Sequence, residues 1–384
     1  MKNAQQGKDH SKRKPLVAIT AYAIAVLVAL FIAEVVLRIA MPQLGAEGWS
    51  AGVFCHNRRC DYRTMVPHAV GQMKGREFGE VAVKANGKGY RDREWPTDDS
   101  ATVVLGDSFG WGWGVSDTAL WKQVVDSPAI APIINLSMPG DDWFRMQHRF
   151  RLHQNELKAK NLVVLCYIND FFGMDDQLAR RDSLNQTGFY SEVHSVLDGC
   201  ETSDHKGRFY PFNRLYVYKM LKGFYVYFNQ RNEGEGMSDY HSRLGYSADA
   251  SFLSNGGTFY SVCANYRDAL RETAGELPIT VVYIPPVYAI DSTVANQVSR
   301  AAGVSLARYD DFYEALLESF AGTQNLEFVD LHPSLSRAHG ASSVYFLNDG
   351  HLNAHGHRVM GECVAAAILP HPSKKKAIEK RHSD

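Results

Sequence analysis

The chain has 384 residues, of which 45% are hydrophobic and 22% are charged, an ordinary composition for a globular protein that can bury a sizeable core. Its formal net charge at pH 7 is -1, so the chain lacks the broad basic field that attracts nucleic acid. We therefore expect no nucleic-acid partner, and the length allows one large domain or two small ones.

The first 40 residues depart from this average composition. Residues 1–14 form a basic segment, and residues 15–40 follow with an apolar stretch whose positions 16–33 carry no charge. An uncharged stretch of this length can cross a bilayer as a helix, and the positive charge before it holds the N-terminus in the cytoplasm. The sequence therefore predicts a single-pass anchor in the inner (cytoplasmic) membrane, with the main domain on the periplasmic or extracellular side.

A cleaved signal peptide is the alternative interpretation of the same stretch. The stretch is long and runs directly into Glu34 and Arg38, without an obvious small-residue cleavage site. These two charges are four residues apart on a helix, so we expect them to pair at the outer interface of the membrane. We favour the uncleaved anchor.

Residues 99–370 contain short apolar runs, rich in β-branched residues, that alternate with amphipathic segments. Such runs are typical of strands buried on both faces of a parallel sheet. The expected strands lie at 101–105, 130–136, 162–168, 279–284 and 326–331. The expected helices lie at 118–125, 142–157, 260–274, 309–320 and 354–369. This alternation predicts a three-layer α/β domain whose functional residues collect at the carboxyl ends of the strands.

Three segments lie outside this alternation. Residues 41–98 form a polar, glycine-punctuated lead-in with no clear periodicity, and residues 371–384 form a basic tail that we expect to be solvated. An insertion at 171–256 contains an aromatic-rich portion at 216–228. Such an insertion could cover the site as a lid, or form a helix that packs its aromatic face on the domain. Both interpretations stay open.

Reactive residue types follow the first three expected strands and precede the last helix. Ser108 follows the first strand, Gly140 the second and Asn169 the third, while Asp349 and His351 share the loop before the last helix. Acyl transfer through a serine needs a base for the hydroxyl proton, a carboxylate that orients the base, and donors for the oxyanion. We predict that Ser108, His351 and Asp349 are catalytic. The predicted oxyanion hole consists of the backbone N–H groups of Ser108 and Gly140 and the side-chain amide of Asn169.

The same residues carry a family resemblance. The GDSF segment at Ser108, the glycine at 140, the Asn169-Asp170 pair and the late Asp349-Gly350-His351 together resemble the four sequence blocks of the SGNH (GDSL-type) hydrolases. This resemblance implies a flavodoxin-like three-layer α/β/α domain, a Ser-His-Asp triad, and deacylation or acyl transfer on sugars or lipids. The segments Asn86-x-x-Gly89-x-Arg91 and Glu34-x-x-Leu37-Arg38 are also similar to membrane-anchored bacterial members.

Two positions depart from the pattern of that family. Tyr167 replaces the glycine of the third block, G-x-N-D, and the last block spaces its acid and base as D-x-H instead of D-x-x-H. The closer spacing resembles the branch that includes polysaccharide O-acetyltransferases. Acyl transfer therefore stays open alongside hydrolysis.

Other kinds of site fit the residues less well. The segment around Ser108 matches the literal G-x-S-x-G of α/β-hydrolases, but that fold places its nucleophile after several strands and Ser108 follows the first. The glycines there fit neither G-x-G-x-x-G nor a P-loop, so we expect no cofactor. His351, His355 and His357 lack an H-E-x-x-H motif, so we expect no metal site.

Six cysteines in an exported domain permit disulfides. Cys55 and Cys60 could close a small loop, and Cys200 with Cys263 is a weaker candidate pair. The other two cysteines lie in apolar surroundings, which is typical of free buried thiols.

The predicted function is that of a serine esterase that removes an O-acyl group, with acetyl expected, from a carbohydrate or lipid. The alternative is an O-acyltransferase that acts on an exported polysaccharide with the same triad, for which a membrane-bound acyltransferase would be a fitting partner. A third alternative, from another class, is a non-catalytic glycan-binding or scaffold subunit.

Overall fold

The computed structural model describes residues 7–40, 48–49, 53–57, 62–75, 77–96, 100–125, 132–187, 201–202, 215–230, 246–254, 259–302, 307–347 and 349–368. The chain divides into two compact units. The first unit comprises residues 1–47 and 205–231, and the second comprises residues 48–204 and 232–384. The middle of the predicted insertion therefore belongs with the N-terminal helix.

The strands are, in chain order, β1 (Gly48–Trp49), β2 (Phe54–Asn57), β3 (Tyr62–Met65), β4 (Val70–Gly75), β5 (Gly79–Lys84), β6 (Ala101–Gly106), β7 (Ile133–Asn135), β8 (Ala159–Cys166), β9 (Glu201–Thr202), β10 (Ile279–Tyr283) and β11 (Leu326–Asp330). The α-helices are α1 (Gly7–Ala40), α2 (Ser108–Trp111), α3 (Trp121–Val125), α4 (Trp143–Leu157), α5 (Met174–Thr187), α6 (Tyr216–Gln230), α7 (Ser247–Ser254), α8 (Phe259–Ala274), α9 (Val287–Ile290), α10 (Ser292–Ala302), α11 (Ala307–Phe320), α12 (His332–Ala341) and α13 (Ala354–Ile368). Short 3₁₀ helices cover Asp117–Ala119 and Ile168–Phe171.

Five parallel strands form the central sheet of the second unit, in the order β11-β10-β8-β6-β7. Every residue of β6, β7 and β10 is buried, as expected for strands covered on both faces. The edge strand β11 is only half-buried along its length. The predicted α/β fold with a parallel sheet is confirmed.

The ends of two strands differ from the expected ones. β8 begins at residue 159 instead of 162 and ends at Cys166, because a 3₁₀ helix takes over at Ile168. Within that turn the Asp170 carboxylate accepts a hydrogen bond from the Tyr167 N–H at 3.0 Å. β7 begins at Ile133, and residues 126–131 lie outside the described part of the chain. The Asp170 carboxylate, through its bond to the Tyr167 N–H, therefore stabilises the turn after β8.

The lead-in is more regular than the sequence indicates. β2 pairs with β3 and β4 with β5, both antiparallel, within a segment whose sequence shows no clear periodicity. Alternate residues of β5 are buried, and Val81 and Val83 join the same hydrophobic core as the central sheet. The alternation is short and punctuated by glycines, which hides it in the sequence. The lead-in from residue 48 onward is thus part of the second unit.

The first unit contains α1 and α6. The most apolar stretch within Val17–Ala40 of α1 has a mean hydropathy of 2.5, and the segment is long and apolar enough to cross a membrane or to serve as a signal sequence. Glu34 and Arg38 form the expected ion pair at 2.7 Å. On α6, the aromatic side chains of Phe224, Tyr225 and Phe228 are exposed.

The cysteines follow the expectations only in part. Cys263 is a buried free thiol, so the candidate pair of Cys200 with Cys263 is not formed. Cys166 and Cys363 are also free, and Cys55 is disulfide-bonded. Cys60 and Cys200 lie outside the described residues.

Candidate active site

Ser108 lies at the carboxyl end of a central strand. β6 ends at Gly106, Asp107 caps α2 by accepting a hydrogen bond from the Phe109 N–H at 2.9 Å, and Ser108 is the first residue of that helix. The glycine at 110 lets the neighbouring loop approach closely, because a β-carbon there would lie 2.3 Å from Ser137 Oγ. The glycine-rich segment is therefore a strand-to-helix turn packed against the loop that follows β7.

The side chains of Ser108, His351 and Asp349 form a continuous hydrogen-bonded chain. Ser108 Oγ lies 2.8 Å from His351 Nε2, and His351 Nδ1 lies 2.6 Å from Asp349 Oδ1. Burial alone would raise the pKa of Asp349, but the hydrogen bond and charge of His351 and a hydrogen bond from Trp113 hold that pKa below its usual value. An ionised Asp349 makes Nδ1 the donor, which leaves Nε2 to accept the proton of Ser108. This is the geometry that nucleophilic activation of a serine requires.

Aromatic rings surround the imidazole of His351. Trp113 stacks on it at a centroid distance of 5.3 Å, and Phe109 lies against it at 4.8 Å. The Trp113 indole N–H also donates to the second oxygen of Asp349 at 3.1 Å. Trp113 therefore orients both the imidazole and its carboxylate, a role that the sequence does not reveal.

Replacing Trp113 with phenylalanine is expected to lower kcat about tenfold with little change in KM, because the ring contact stays while a hydrogen bond to a charged, partly exposed carboxylate is lost. Hydrolysis of an aryl ester by the full chain measures both constants. Trp95→Phe is the matched control, since the Trp95 indole N–H has no hydrogen-bond partner within the described residues. An equal loss in both variants would assign the effect to packing.

The predicted oxyanion donors differ in their surroundings. Gly140 lies in an exposed turn at a φ of +76°, which favours glycine. The Asn169 amide donates to Asp107 Oδ2 at 2.9 Å, and the same carboxylate lies 3.5 Å from Ser108 Oγ. Asp107 is completely buried. Burial raises the pKa of its carboxyl group, although the hydrogen bonds from the Asn169 amide and the Phe109 N–H oppose the shift. Asp107 thus orients Asn169 beside Ser108, a role that was not expected for this aspartate from the sequence.

A buried ion pair holds the loop that contains Gly140. Asp141, which follows Gly140 in the chain, pairs with Arg149 of α4. Arg149 contacts the Asp141 carboxylate through Nε and, at 3.0 Å, through Nη2. The same guanidinium donates to the backbone carbonyl of Arg63 in β3. Burial raises the pKa of Asp141 to about 6, although the Arg149 charge opposes the shift. The side chain of Arg149 therefore connects α4 to both the lead-in and the loop that contains Gly140.

Arg91 of the Asn86-x-x-Gly89-x-Arg91 segment holds the loop that follows α2. Its guanidinium is buried and donates to the carbonyl oxygens of Gly112 and Val115 at 2.6 Å each, and to Asp117 at 2.8 Å. The Asn86 side chain supports the turn by accepting the Tyr90 N–H at 3.0 Å. This segment therefore positions Trp113 indirectly, by fixing the backbone on both sides of it.

The turn between β4 and β5 reaches the same site. The Glu77 carboxylate accepts the backbone N–H of Asp349 at 2.8 Å, and Phe78 packs on Phe346 at a centroid distance of 5.5 Å. No local pattern around Glu77 indicates this contact, because its partner is 272 residues away. The lead-in therefore supports the backbone of the predicted catalytic acid.

A further buried carboxyl group, that of Asp249, lies behind the site. Asp249 of α7 accepts hydrogen bonds from the hydroxyls of Tyr167 at 3.4 Å and Tyr288 at 3.2 Å, and Tyr167 stacks on Phe109 at 4.4 Å. Burial raises the pKa of Asp249 to about 7, although both hydroxyls oppose the shift. Tyr167, which departs from the family pattern, therefore links α7 to the ring beside His351.

The raised pKa of Asp249 predicts a pH-dependent stability. The unfolded carboxyl loses its proton near the ordinary aspartate value of 3.8, while the folded one keeps it up to about 7. The contribution of Asp249 to the free energy of unfolding is thus complete below pH ~4 and is lost as the pH rises to ~7. Urea unfolding of wild type and Asp249→Asn should show a stability difference that changes by at most about 4 kcal/mol over this window. Parallel pH profiles would contradict the assignment.

Two further histidines, His332 and His357, take no part in the hydrogen-bonded chain of Ser108, His351 and Asp349. The Asp330 carboxylate accepts the backbone N–H of His332, the first residue of α12, at 2.9 Å. His357 is buried in α13, and burial lowers its pKa to about 3. The described part of the chain contains no group of three or more metal-ligating side chains.

Comparison with known proteins agrees with these features. The sequence model of the GDSL-like Lipase/Acylhydrolase family matches residues 104–359, more than half of the chain. No curated protein matches this chain. Similar solved structures include the lipase/acylhydrolase from Enterococcus faecalis (14% identity, 70% of this chain and 95% of that chain, TM-score 0.38), a lipase from a goat rumen metagenome (11%, 70% and 98%, 0.34) and a GDSL-like lipase from Bacteroides thetaiotaomicron (12%, 72% and 91%, 0.34). Likenesses this low carry no weight for function. The family match alone confirms the resemblance found in the sequence, and the chain belongs to the GDSL-like lipase/acylhydrolase family.

Proposed function

We propose that this protein is a serine esterase that removes an O-acyl group, with acetyl expected, from a carbohydrate or lipid. The observation that carries the proposal is the hydrogen-bonded chain from Ser108 Oγ through His351 to Asp349. A serine at the end of a parallel strand, with a base and an oriented carboxylate in reach, is suited to acyl chemistry.

In the first half of the reaction, Ser108 Oγ attacks the ester carbonyl carbon and its proton passes to His351 Nε2. The ionised Asp349 stabilises the resulting imidazolium through Nδ1. The negative charge on the carbonyl oxygen is stabilised by the N–H groups of Ser108 and Gly140 and by the amide of Asn169. As the tetrahedral intermediate collapses, the C–O bond breaks and the leaving alkoxide takes the proton from His351. The acyl group is then bonded to Ser108.

In the second half, His351 removes a proton from water, and the hydroxide attacks the acyl carbon. The Ser108 Oγ–C bond breaks, His351 returns the proton to Ser108, and the carboxylic acid leaves. The side chains of His351 and Asp349 are 21% and 28% exposed, so water has access to this base.

O-acyl transfer to an exported polysaccharide is the second candidate. A sugar hydroxyl would then replace water in the second half of the reaction, with His351 again taking its proton. The D-x-H spacing of Asp349 and His351 favours this candidate, since it resembles the branch that contains polysaccharide O-acetyltransferases. A membrane-bound acyltransferase would be a suitable source of acyl groups.

The location proposed for this activity is the outer side of the cytoplasmic membrane. The length and hydropathy of α1 support a single-pass anchor, and the basic residues before it favour a cytoplasmic N-terminus. The family domain would then face the periplasm or the cell exterior.

The proposal is tested with the full chain in detergent micelles or nanodiscs, supplied with an aryl acetate and with glycans as acceptors. Free acetate as the main product supports hydrolysis, and acetyl-glycan formed faster than acetate supports transfer. A serine-reactive phosphonate, followed by peptide mass mapping, is expected to label Ser108. Glycan binding without turnover and without a label at Ser108 would instead support the non-catalytic alternative.

A further inference from the structure

The end of α1 is joined to α6 by a charged contact. Glu34 Oε1 accepts the backbone N–H of Tyr216 and Glu34 Oε2 accepts that of Val217, both at 3.1 Å. These are the first two N–H groups of α6, which no carbonyl within the helix can satisfy. Arg38 pairs with Glu34 and also lies over the Tyr216 ring, 4.7 Å from its centroid. The Glu34-x-x-Leu37-Arg38 segment therefore caps α6.

A carboxylate close to lipid is costly unless it is paired. The side chain of Glu34 is only 13% exposed, because two N–H groups and one guanidinium surround it. Its charge also lies at the positive end of the α6 dipole, where a carboxylate is favoured. This contact stabilises both the charge at the end of α1 and the start of α6.

The outer face of α6 is apolar and exposed. Leu221, Phe224, Tyr225 and Phe228 occupy positions i, i+3, i+4 and i+7, which lie along one side of a helix. Their exposed fractions are 58%, 44%, 69% and 60%. A row of this kind on a soluble surface is unusual, and it marks a surface that meets lipid or another protein. We call these four residues the α6 stripe.

We propose that the α6 stripe lies in the interfacial region of the lipid bilayer, beside the point where α1 leaves the membrane. The argument for lipid is continuity, because α6 is capped by the end of a helix whose apolar side chains are exposed along a length that can span a bilayer. Tyrosine suits the headgroup boundary, because its ring is apolar and its hydroxyl is polar. Phenylalanine and leucine are typical of the apolar face that an interfacial helix turns toward the acyl chains. Lys222, exposed beside the stripe, can reach lipid phosphates.

This inference rests on the proposed membrane span, and the two can be tested separately. The full chain is reconstituted in phosphatidylcholine nanodiscs with p-benzoylphenylalanine in place of Tyr225 or Phe228. Val26→p-benzoylphenylalanine reports on the span itself. The matched aqueous control is Tyr260→p-benzoylphenylalanine, because Tyr260 is also an exposed tyrosine, at 52%, but belongs to the second unit. After irradiation, peptide mass mapping measures the yield of phospholipid adducts.

We expect phospholipid adducts at positions 225 and 228 in several-fold higher yield than at 260. Adducts at 26 but not at 225 or 228 would overturn the interfacial position of α6 and leave the span intact. Absence of adducts at position 26 as well would overturn the span. Adducts of 225 or 228 with protein instead of lipid would overturn the proposal in favour of a protein partner. In Glu34→Leu, which removes the cap, the lipid adducts at 225 and 228 should fall several-fold while those at 26 persist.

Discussion

Ser108→Ala is expected to lower kcat/KM for an acyl ester by roughly 10⁴- to 10⁶-fold while the protein stays folded. The variant removes the oxygen that lies 2.8 Å from His351 Nε2, and no covalent acyl-enzyme can then form. His351→Ala should cause a loss of the same order, because the hydroxyl of Ser108 then has no base. Since the two residues act as a unit, the double variant should lose no more than either single one. Steady-state hydrolysis of an aryl acetate by the full chain measures these rates.

Ser116→Ala is the matched control for this prediction. Ser116 is an exposed serine in the same loop region, and its hydroxyl contacts that of Thr118 at 3.2 Å. We expect wild-type rates from this variant and unchanged thermal melting for all of them. Equal rates in wild type and Ser108→Ala, or a phosphonate label on another residue, would refute the proposed nucleophile.

Asp141→Asn is expected to destabilise the protein by at most about 3 to 5 kcal/mol, because it leaves the guanidinium of Arg149 buried without its counter-charge. The loss is reduced to the extent that the variant also removes the buried charge whose burial raises the pKa of Asp141. Both side chains of this pair are at most 1% exposed, so solvent cannot compensate. Asp141 directly follows Gly140, and Arg149 also holds the carbonyl of Arg63. The same variant should therefore lower kcat, since it would displace Gly140, the proposed oxyanion donor. Urea unfolding followed by circular dichroism gives the free energy of unfolding.

Two further variants separate burial from charge. Asp141→Asn combined with Arg149→Met should recover part of the lost stability, because no unpaired charge remains in the interior. Glu362→Gln breaks an exposed pair with Arg358 on α13 and should change the free energy of unfolding by less than about 1 kcal/mol. A loss for Asp141→Asn as small as that for Glu362→Gln would show that the buried pair does not stabilise the Gly140 loop.

Several features of the molecule could be predicted from the sequence because they depend on neighbours along the chain. The buried strands β6 and β10 are nearly continuous apolar runs, and burial on both faces selects such runs whatever the rest of the fold does. Ser108, Gly140 and Asn169 each follow a strand, and parallel strands bring their carboxyl ends to one edge. The family assignment depended on the same short segments. The positions of these residues were therefore predictable, whereas their catalytic roles await the variants described above.

The contacts that orient the site could not be predicted in this way. Glu77 accepts the backbone N–H of Asp349, and the Trp113 indole N–H donates to the Asp349 carboxylate. Arg91 holds the loop around Trp113 by donating to the carbonyl oxygen of Gly112. Each contact joins residues far apart in the chain, and an exposed glutamate or a tryptophan between glycines has no local signature. The strands of the lead-in escaped detection because two short hairpins interrupted by glycines show too few alternations.

The sequence by itself determined the order of the five central strands along the chain, the apolar N-terminal helix and the presence of a serine, a histidine and an aspartate at the ends of elements, because periodicity and residue type are local properties. Only the tertiary structure decided that His351 lies within 2.8 Å of a serine 243 residues away, that Asp107 orients Asn169, and that Glu34 caps a helix 182 residues later. These contacts depend on how buried charges and unsatisfied N–H groups find partners once the core has packed. Which partner each group meets depends on the free energy of the whole fold, so no local sequence pattern encodes these contacts.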